Sequence, residues 1–434
     1  MRVLVVGSGG REHALAWALS QQGIATFAAP GNPGIARCAT CVPCGALDMD
    51  RLASEAERLG VDLTIIGPEA PLVAGVVDAF GARGLAVLGP SRAAARLEGS
   101  KVFMKRLCER YEIPTAQFRT FDDPAAAASY ARSAARPLVV KADGLAAGKG
   151  VVVADTTEEA CAALEALMVS RRFGEAGASV VVEEKLVGDE VSVFAFCDGA
   201  DFVPLLPARD HKRLLEGDRG PNTGGMGAVA PAPDVAAAAL DRIADEILAP
   251  TVWAMAQEGR PYRGVLFAGV MLTHEGPKVL EFNVRLGDPE AQALLPLLES
   301  GLIELAEGAA AGRLDRVAPR WRRGHAVCAA LCAPGYPERP ETGSEIFGLD
   351  RIDAHDALVF HAGTSIRDGR TVTAGGRVLN VVGVGATVEE AAARAYGAAD
   401  AISFEGKIVR RDIGALAPGR PAAARGTVPS RELG

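Results

Sequence analysis

Over the first hundred residues, short runs of β-branched and aliphatic side chains alternate with alanine-rich stretches of mixed polarity. Val3 to Val6, Leu63 to Ile66 and Leu85 to Leu88 have strand length, and the stretch from Glu12 to Gln21 reads as a helix. This alternation predicts a parallel sheet with crossover helices. The strand ends carry glycine loops: Gly7-Ser8-Gly9-Gly10, Pro30-Gly31-Asn32-Pro33-Gly34, Gly67-Pro68-Glu69-Ala70-Pro71 and Gly89-Pro90-Ser91. Ligands of such sheets bind where these loops converge.

After Lys101 the texture changes. Val102 to Tyr111 reads as a helix broken by Ile113-Pro114-Thr115, and from Leu138 onward apolar strands are separated by tight glycine turns. This α+β pattern takes in Val180 to Glu183, Val191 to Phe196, Val265 to Leu272 and Lys278 to Phe282, with a helical stretch at Asp234 to Gln257. A third unit begins near Arg320, with strands at Ala326 to Cys332 and Arg377 to Val384 and a helix at Val388 to Ala401. The Pro-, Gly-, Ala- and Arg-rich tail, residues 417–434, is predicted to be disordered.

A length of 434 residues sets an expectation of about three domains. The net charge of −8 argues against a nucleic acid or an anionic membrane as partner and points to small molecules. No apolar run reaches transmembrane length, and the N-terminus lacks a signal-peptide core, so the expected location is the cytoplasm. Eight cysteines then read as reduced thiols. Cys38, Cys41 and Cys44 have metal-ligand spacing, but without a second paired motif they read as loop thiols.

In an overall acidic chain, anionic substrates must be caught by local cations in glycine-rich loops. The first loop fits phosphate binding or a structural tight turn. It does not fit NAD, because the third fingerprint position is Glu12 and the second strand ends without a carboxylate for a ribose. The segment Leu138 to Val153 is more specific. Lys141 ends one strand, the loop Gly144 to Gly150 carries Gly148 and Lys149, and a return strand follows at once. That is a hairpin lid able to fold over a triphosphate, and it fails the Walker pattern at Asp143 and Gly150. Glu183-Glu184-Lys185-Leu186 with Glu190 suits adenine and ribose recognition, although alone it fits a solvated acidic turn equally well.

Asp210-His211-Lys212-Arg213 followed by Asn222-Thr223-Gly224-Gly225 pairs cations with a donor-rich turn and suits a small carboxylate or phosphate. Glu281, Asn283 and Arg285 share one strand face. The first two suit Mg2+, and Arg285 suits a phosphoryl group in transfer.

Taken in order, these motifs resemble the ATP-grasp superfamily, and the wording of Gly-Ser-Gly-Gly-Arg-Glu-His-Ala, Gly-Pro-Glu-Ala-Pro-Leu, Glu-Gly-Ser-Lys, Lys-Ala-Asp-Gly-Leu-Ala-Ala-Gly-Lys-Gly, Asp-His-Lys-Arg, Gly-Pro-Asn-Thr-Gly-Gly-Met-Gly-Ala and Arg-Leu-Gly-Asp-Pro-Glu resembles the phosphoribosylamine–glycine ligase family within it. The resemblance implies an α/β and α+β fold. A Rossmann-like parallel-sheet domain would span 1–101, an ATP-grasp domain 102–319 with a lid at about 122–191, and a C-terminal α+β domain 320–416. It implies a cytoplasmic, monomeric ligase of purine biosynthesis that joins glycine to 5-phosphoribosylamine at the expense of ATP, using Mg2+ or Mn2+.

Position by position, the resemblance implies that Lys101, Lys141, Gly144, Gly148, Lys149 and Gly150 meet ATP phosphates, Glu183 to Leu186 the adenine and Glu190 the ribose. Gly9, Gly10, Asn32, Glu69, Asp210, Lys212, Asn222, Thr223, Gly224, Gly225 and Arg285 would meet the other substrates. Glu281 and Asn283 would hold the metal, and Arg285 and Lys141 would be catalytic. Phe267 stands where related enzymes often place a further metal carboxylate.

Overall fold

The computed structural model of the chain describes residues 1–146, 150–172, 174–314 and 317–415. Gly148, Lys149 and the tail expected at 417–434 lie outside the described residues. The first unit is a five-stranded parallel sheet in the order Thr40–Cys41, Ala25–Pro30, Arg2–Gly7, Leu63–Ile66, Val87–Leu88. Its central strand is buried from Val3 to Gly7, as a strand covered on both faces must be.

The helix Gly10–Gln21 starts directly after the first strand. Glu12 caps it, with its Oε2 accepting the Gly9 N–H at 2.6 Å. A Cβ on Gly67 would lie 2.1 Å from Glu12 Oε1, so only glycine fits there. A carboxylate of the chain therefore occupies the helix N-terminus where a dinucleotide would place its phosphates. This is the physical reason that the first loop does not read as an NAD site.

The second unit has a platform and a lid. The platform is an antiparallel sheet in the order Phe202–Pro204, Asp189–Asp198, Arg263–Thr273, Gly276–Asn283. The lid sheet runs Phe118–Phe121, Val180–Glu184, Leu138–Ala142, Val151–Ala154, and two helices, Pro124–Ala134 and Thr157–Leu164, pack on it. Asp123 and Thr156 cap those helices. The two hairpin strands pair antiparallel from Leu138↔Ala154 to Lys141↔Val151, as their sequence predicts.

The third unit is a sheet in the order Arg209–Asp210, Gly227–Ala230, His325–Cys332, Arg377–Gly385, Leu358–His361, with the helix Val388–Ala401 across it. Its first two strands come from well before residue 320, so the glycine turn at 222–225 hangs from this sheet. The stretch Asp234 to Gln257 is helical from Ala237 to Gln257, with a π-helical turn at Ala244–Leu248.

Core packing sets the lid apart from the N-terminal sheet and the platform. The two faces of the N-terminal sheet pack into clusters that continue into the platform. One joins Leu4 and Val6 to Leu266 and Phe282, and the other joins Val3 and Leu15 to Phe194, Ala326 and Phe360. The lid keeps a core of its own, with Ala127, Val140, Leu164 and Val182 among its members.

The N-terminal and C-terminal units meet at a buried histidine pair. His13 Nδ1 accepts the His361 backbone N–H at 2.7 Å, and the His13 ring stands edge-on to Phe360 at 5.4 Å. Burial, then the charges of His361 and Arg37, push His13 down to about 3, and burial and Arg37 push His361 down to about 4. A group with a lowered pKa binds fewer protons folded than unfolded. Its contribution is intact above its ordinary value of 6.5 and is lost as the pH falls towards 4. We expect each histidine to add up to about 1.4 kcal/mol of destabilisation per pH unit over that window. Urea unfolding of wild type and His13→Gln at pH 7.5, 6 and 5 checks this. The variant should show the shallower decline, and identical declines would remove His13 as a source.

Candidate functional site

Four cations from four different segments converge on one carboxylate. Burial raises the pKa of Glu281, but the charges of Lys212, Lys101, Lys141 and Arg285 outweigh it and hold the carboxyl below its usual range. Glu281 lies on the strand Gly276–Asn283 opposite Gly269, and Asn283 lies opposite Phe267. Arg285 follows the strand and donates to Asn283 Oδ1 at 3.2 Å, so the predicted grouping of Glu281, Asn283 and Arg285 is present. Phe267 is buried and stacks on Phe194 at 4.5 Å, leaving its position without an oxygen donor.

Each cation is already paired. Lys212 makes an ion pair with Glu190 and lies 3.8 Å from Glu281, bringing together residues expected at the ribose, the metal and the substrate. Lys141 is 2.5 Å from Glu183 and donates to the Leu280 carbonyl at 2.8 Å. Lys101 donates to the Gly144 carbonyl at 3.3 Å, and Asp143 accepts from Ser100 Oγ and the Val102 N–H. The start of the helix Lys101–Arg110 is thereby fastened to the lid hairpin. Across that hairpin the Ala142 N–H donates to the Gly150 carbonyl at 2.8 Å.

Arg285 is held by two carboxylates, Glu69 and Glu98, each at 3.2 Å. Burial pushes Glu98 up, Arg285 pulls it down and Glu69 pushes it up again. For Glu69, burial is outweighed by Arg285 and Arg11, and the carboxyl sits low.

The side chains expected at the adenine are engaged within the protein. Glu184 accepts the Gln117 N–H at 2.9 Å, Lys185 reaches Asp155 at 2.6 Å, and Leu186 is half-buried beyond them. Among the residues expected at the other substrates, the Gly9 N–H is taken by Glu12, and Gly10 abuts the buried amides of Asn380 and Gln292. Asn32 donates to the Ser8 and His361 carbonyls and accepts from Gly34 and Ile35. It thus ties a loop of the first unit to the third.

Asn222 is exposed and pairs with Arg213 in a short hairpin. Thr223 Oγ1 donates to the Lys212 carbonyl at 2.8 Å and accepts the Gly225 N–H at 3.0 Å. Gly225 has φ +110°, and a Cβ there would meet Pro289 at 2.4 Å and Asp210 Oδ1 at 2.9 Å. Burial and the charge of Glu290 push the Asp210 carboxyl up, and burial does the same to Glu290.

Sequence reasoning missed several groups. Glu98 lay inside the quoted Glu-Gly-Ser-Lys motif, but nothing local marks it as a partner of Arg285. Arg377 of the third unit donates to the Gly224 carbonyl at 2.5 Å and the Asp288 carbonyl at 2.7 Å, and meets the Asp288 carboxylate at 3.2 Å. The Tyr336 hydroxyl accepts the Gly224 N–H at 2.9 Å. The Cys38, Cys41 and Cys44 thiols lie against carbonyls of their own segment, and burial with the charge of Cys41 pushes Cys38 up to about 11. Among the described residues, no group of three or more His, Cys, Asp or Glu could hold a metal ion.

Comparison with known proteins covers the whole architecture. Models of the phosphoribosylglycinamide synthetase N domain, ATP-grasp (A) domain and C domain match residues 1–98, 99–291 and 326–416. A phosphoribosylamine–glycine ligase of Mesorhizobium japonicum is 49% identical over 98% of this chain and 100% of its own length. One of Ralstonia nicotianae is 48% identical over 95% and 99%. The crystal structure of phosphoribosylamine–glycine ligase from Thermotoga maritima superimposes with a TM-score of 0.85 at 38% identity, covering 95% of this chain and 100% of that one. A biotin carboxylase from Campylobacter jejuni, solved as a β,γ-ATP complex, has a TM-score of 0.73 at 15% identity over 95% and 94% of the two chains, a likeness of fold alone.

Arg377 clamps the turn at Gly224–Gly225 to the loop at Asp288. Arg377→Leu should cost about 3 kcal/mol, because it strands the Asp288 carboxylate in a mostly buried setting. Chemical denaturation measures it, and a loss under about 0.5 kcal/mol would show that the clamp does not hold the two units together.

Proposed function

The chain belongs to the phosphoribosylglycinamide synthetase family, and from that premise we propose how its site carries out the family's reaction. The reaction joins glycine to 5-phosphoribosylamine with cleavage of ATP to ADP and phosphate, giving glycinamide ribonucleotide through glycyl phosphate. The observation that carries the site reading is the convergence of Lys101, Lys141, Lys212 and Arg285 on Glu281, a polyanion site in an acidic chain.

A carboxylate does not accept an amine near neutral pH, because oxide would have to leave. Phosphorylating glycine gives phosphate as the leaving group. Transfer of a γ-phosphoryl group rests on positioning and charge rather than on covalent help. Lys101 and Lys141 draw the phosphates to the mouth of the lid, and Arg285, oriented by Glu69 and Glu98, faces the group in transfer. Closure of the lid keeps water from the acyl phosphate. Because the Glu183 and Glu184 carboxylates are engaged elsewhere, base recognition falls to the main chain of Glu184 to Leu186. Glu190, freed from Lys212, takes the ribose hydroxyls.

Relatives with this fold use ATP with a divalent metal. The Glu281 carboxylate and Asn283 amide oxygen fit a hard cation as a two-donor site, the phosphate oxygens supplying the remainder. We assign Mg2+ there, with Mn2+ able to use the same oxygen donors. Such an ion would neutralise charge on the nucleotide phosphates.

The Gly224–Gly225 turn, Asp210, Thr223 and Lys212 surround the place assigned to glycine and the amine, and Gly9, Gly10, Asn32, Glu69 and Asn222 complete the assignment carried over from the family motifs. Gly148 and Lys149 are assigned to the phosphates on the hairpin pattern alone. All eight cysteines are free, which fits the reducing cytoplasm. No helix among the described residues is long and apolar enough to cross a membrane. We assign a monomer, and sedimentation checks it.

Glycine labelled with 18O in its carboxylate should pass one label to inorganic phosphate. Label confined to the ribonucleotide product, or release of AMP, contradicts the acyl-phosphate route. Glu281→Gln should lower turnover by about two to three orders of magnitude with a much smaller effect on ATP affinity, the scale of losing one charge-stabilising group. Near-normal turnover at ordinary Mg2+ places the metal elsewhere.

A further inference from the structure

Lys105 has no part in the site as described so far, yet its surroundings are unusual for a lysine. It lies one turn after Lys101 on the helix Lys101–Arg110 and is 0% exposed. Fully buried lysines are rare unless paired. Its ammonium forms an ion pair with Glu183 Oε2 and donates to Thr115 Oγ1 at 2.7 Å. Thr115 Oγ1 in turn donates to the Val279 carbonyl at 2.7 Å, on the strand that carries Glu281. The other oxygen of Glu183 takes Lys141. Burial pushes the Lys105 pKa down, and the Glu183 carboxylate opposes that.

One carboxylate thus serves two lysines. Only Lys141 borders the site, because Lys105 is sealed behind Thr115 and the face of Phe118, whose ring centroid is 5.4 Å from its Nζ. A simple Lys141–Glu183 pair would be neutral and would offer a polyphosphate little. With Lys105 present, the triad carries a net charge of +1, and Lys141 is its outer member.

We propose that Lys105 is a positioning residue that claims half of Glu183 and so leaves Lys141 a surplus positive charge for the nucleotide phosphates. The proposal rests on the assignment of Lys141 to those phosphates. It also gives Glu183 a role different from base recognition: it holds Lys141 at a fixed place without cancelling its charge.

The test compares MgATP and adenosine binding by calorimetry on the full-length chain. Lys105→Met leaves Glu183 to neutralise Lys141, so MgATP should bind about tenfold or more weakly, the scale of one partly screened charge contact, while adenosine binding stays unchanged. Lys105→Gln, which retains a polar partner for Thr115, should behave alike and serves if the Met variant does not fold.

The discriminating variant is Lys105→Met with Glu183→Gln. It removes a further native contact yet restores the triad to +1, so MgATP affinity should return to within about threefold of wild type. A role confined to folding makes the double variant no better than the single one, and that outcome overturns the proposal. Equal weakening of MgATP and adenosine, or unchanged MgATP binding in both Lys105 variants, overturns it too. Lys141→Met separates the premise from the inference. If it binds MgATP as wild type does, the phosphate assignment itself is wrong and the proposal falls with it. If it binds weakly while the Lys105 variants bind normally, only the proposal falls.

Discussion

The guanidinium of Arg285 is the point on which the domain arrangement depends. Two carboxylates flank it: Glu69, from the N-terminal unit beside the Gly67-Pro68 strand end, and Glu98, from the last turn of the helix Arg92–Gly99. Glu98 also accepts the Val284 N–H at 2.7 Å. Burial works against every charge here, and the attraction of Glu98 and Glu69 more than offsets it for Arg285, whose pKa is raised. A network of this kind adds little stability over an apolar replacement, but removing one member strands the others. It therefore specifies one docking of the N-terminal unit on the platform, and with it the position of the Arg285 guanidinium.

The same design recurs around the site. Lys141 is held by Glu183 and Arg377 by Asp288, so these cations are fixed in place by carboxylates of the chain, and Lys212 rests on Glu190. Preorganised charge of this sort needs no reorganisation when the phosphoryl group moves. It also reconciles a net charge of −8 with an anionic substrate, because the positive potential is local to the cleft. The lid's hydrophobic core is separate from the clusters that join the N-terminal sheet to the platform.

Much of this was legible in the sequence. The parallel sheet, the lid hairpin pairing Lys141 with Val151, and the grouping of Glu281 with Asn283 all follow from periods of two or 3.6 residues and from turn chemistry, which act over a few neighbours. The rejection of NAD at the first loop rested on local residues, Glu12 and the carboxylate-free end of the second strand, and in the fold Glu12 accepts the Gly9 N–H.

What the sequence could not determine is which charge answers which. Arg285 and Glu69 are 216 positions apart, Arg377 and Gly224 are 153, and Lys141 reaches a carbonyl 139 positions away. The mixed origin of the third sheet, the engagement of the Glu183 and Glu184 carboxylates and the burial of Lys105 behind Glu183 likewise have no local signature. Pattern and spacing determined the elements and the candidate residues, because those depend on backbone sterics and on the nearest side chains. The tertiary structure decided the pairing of the charges, because a buried charge takes whichever partner the packing of distant elements brings within reach.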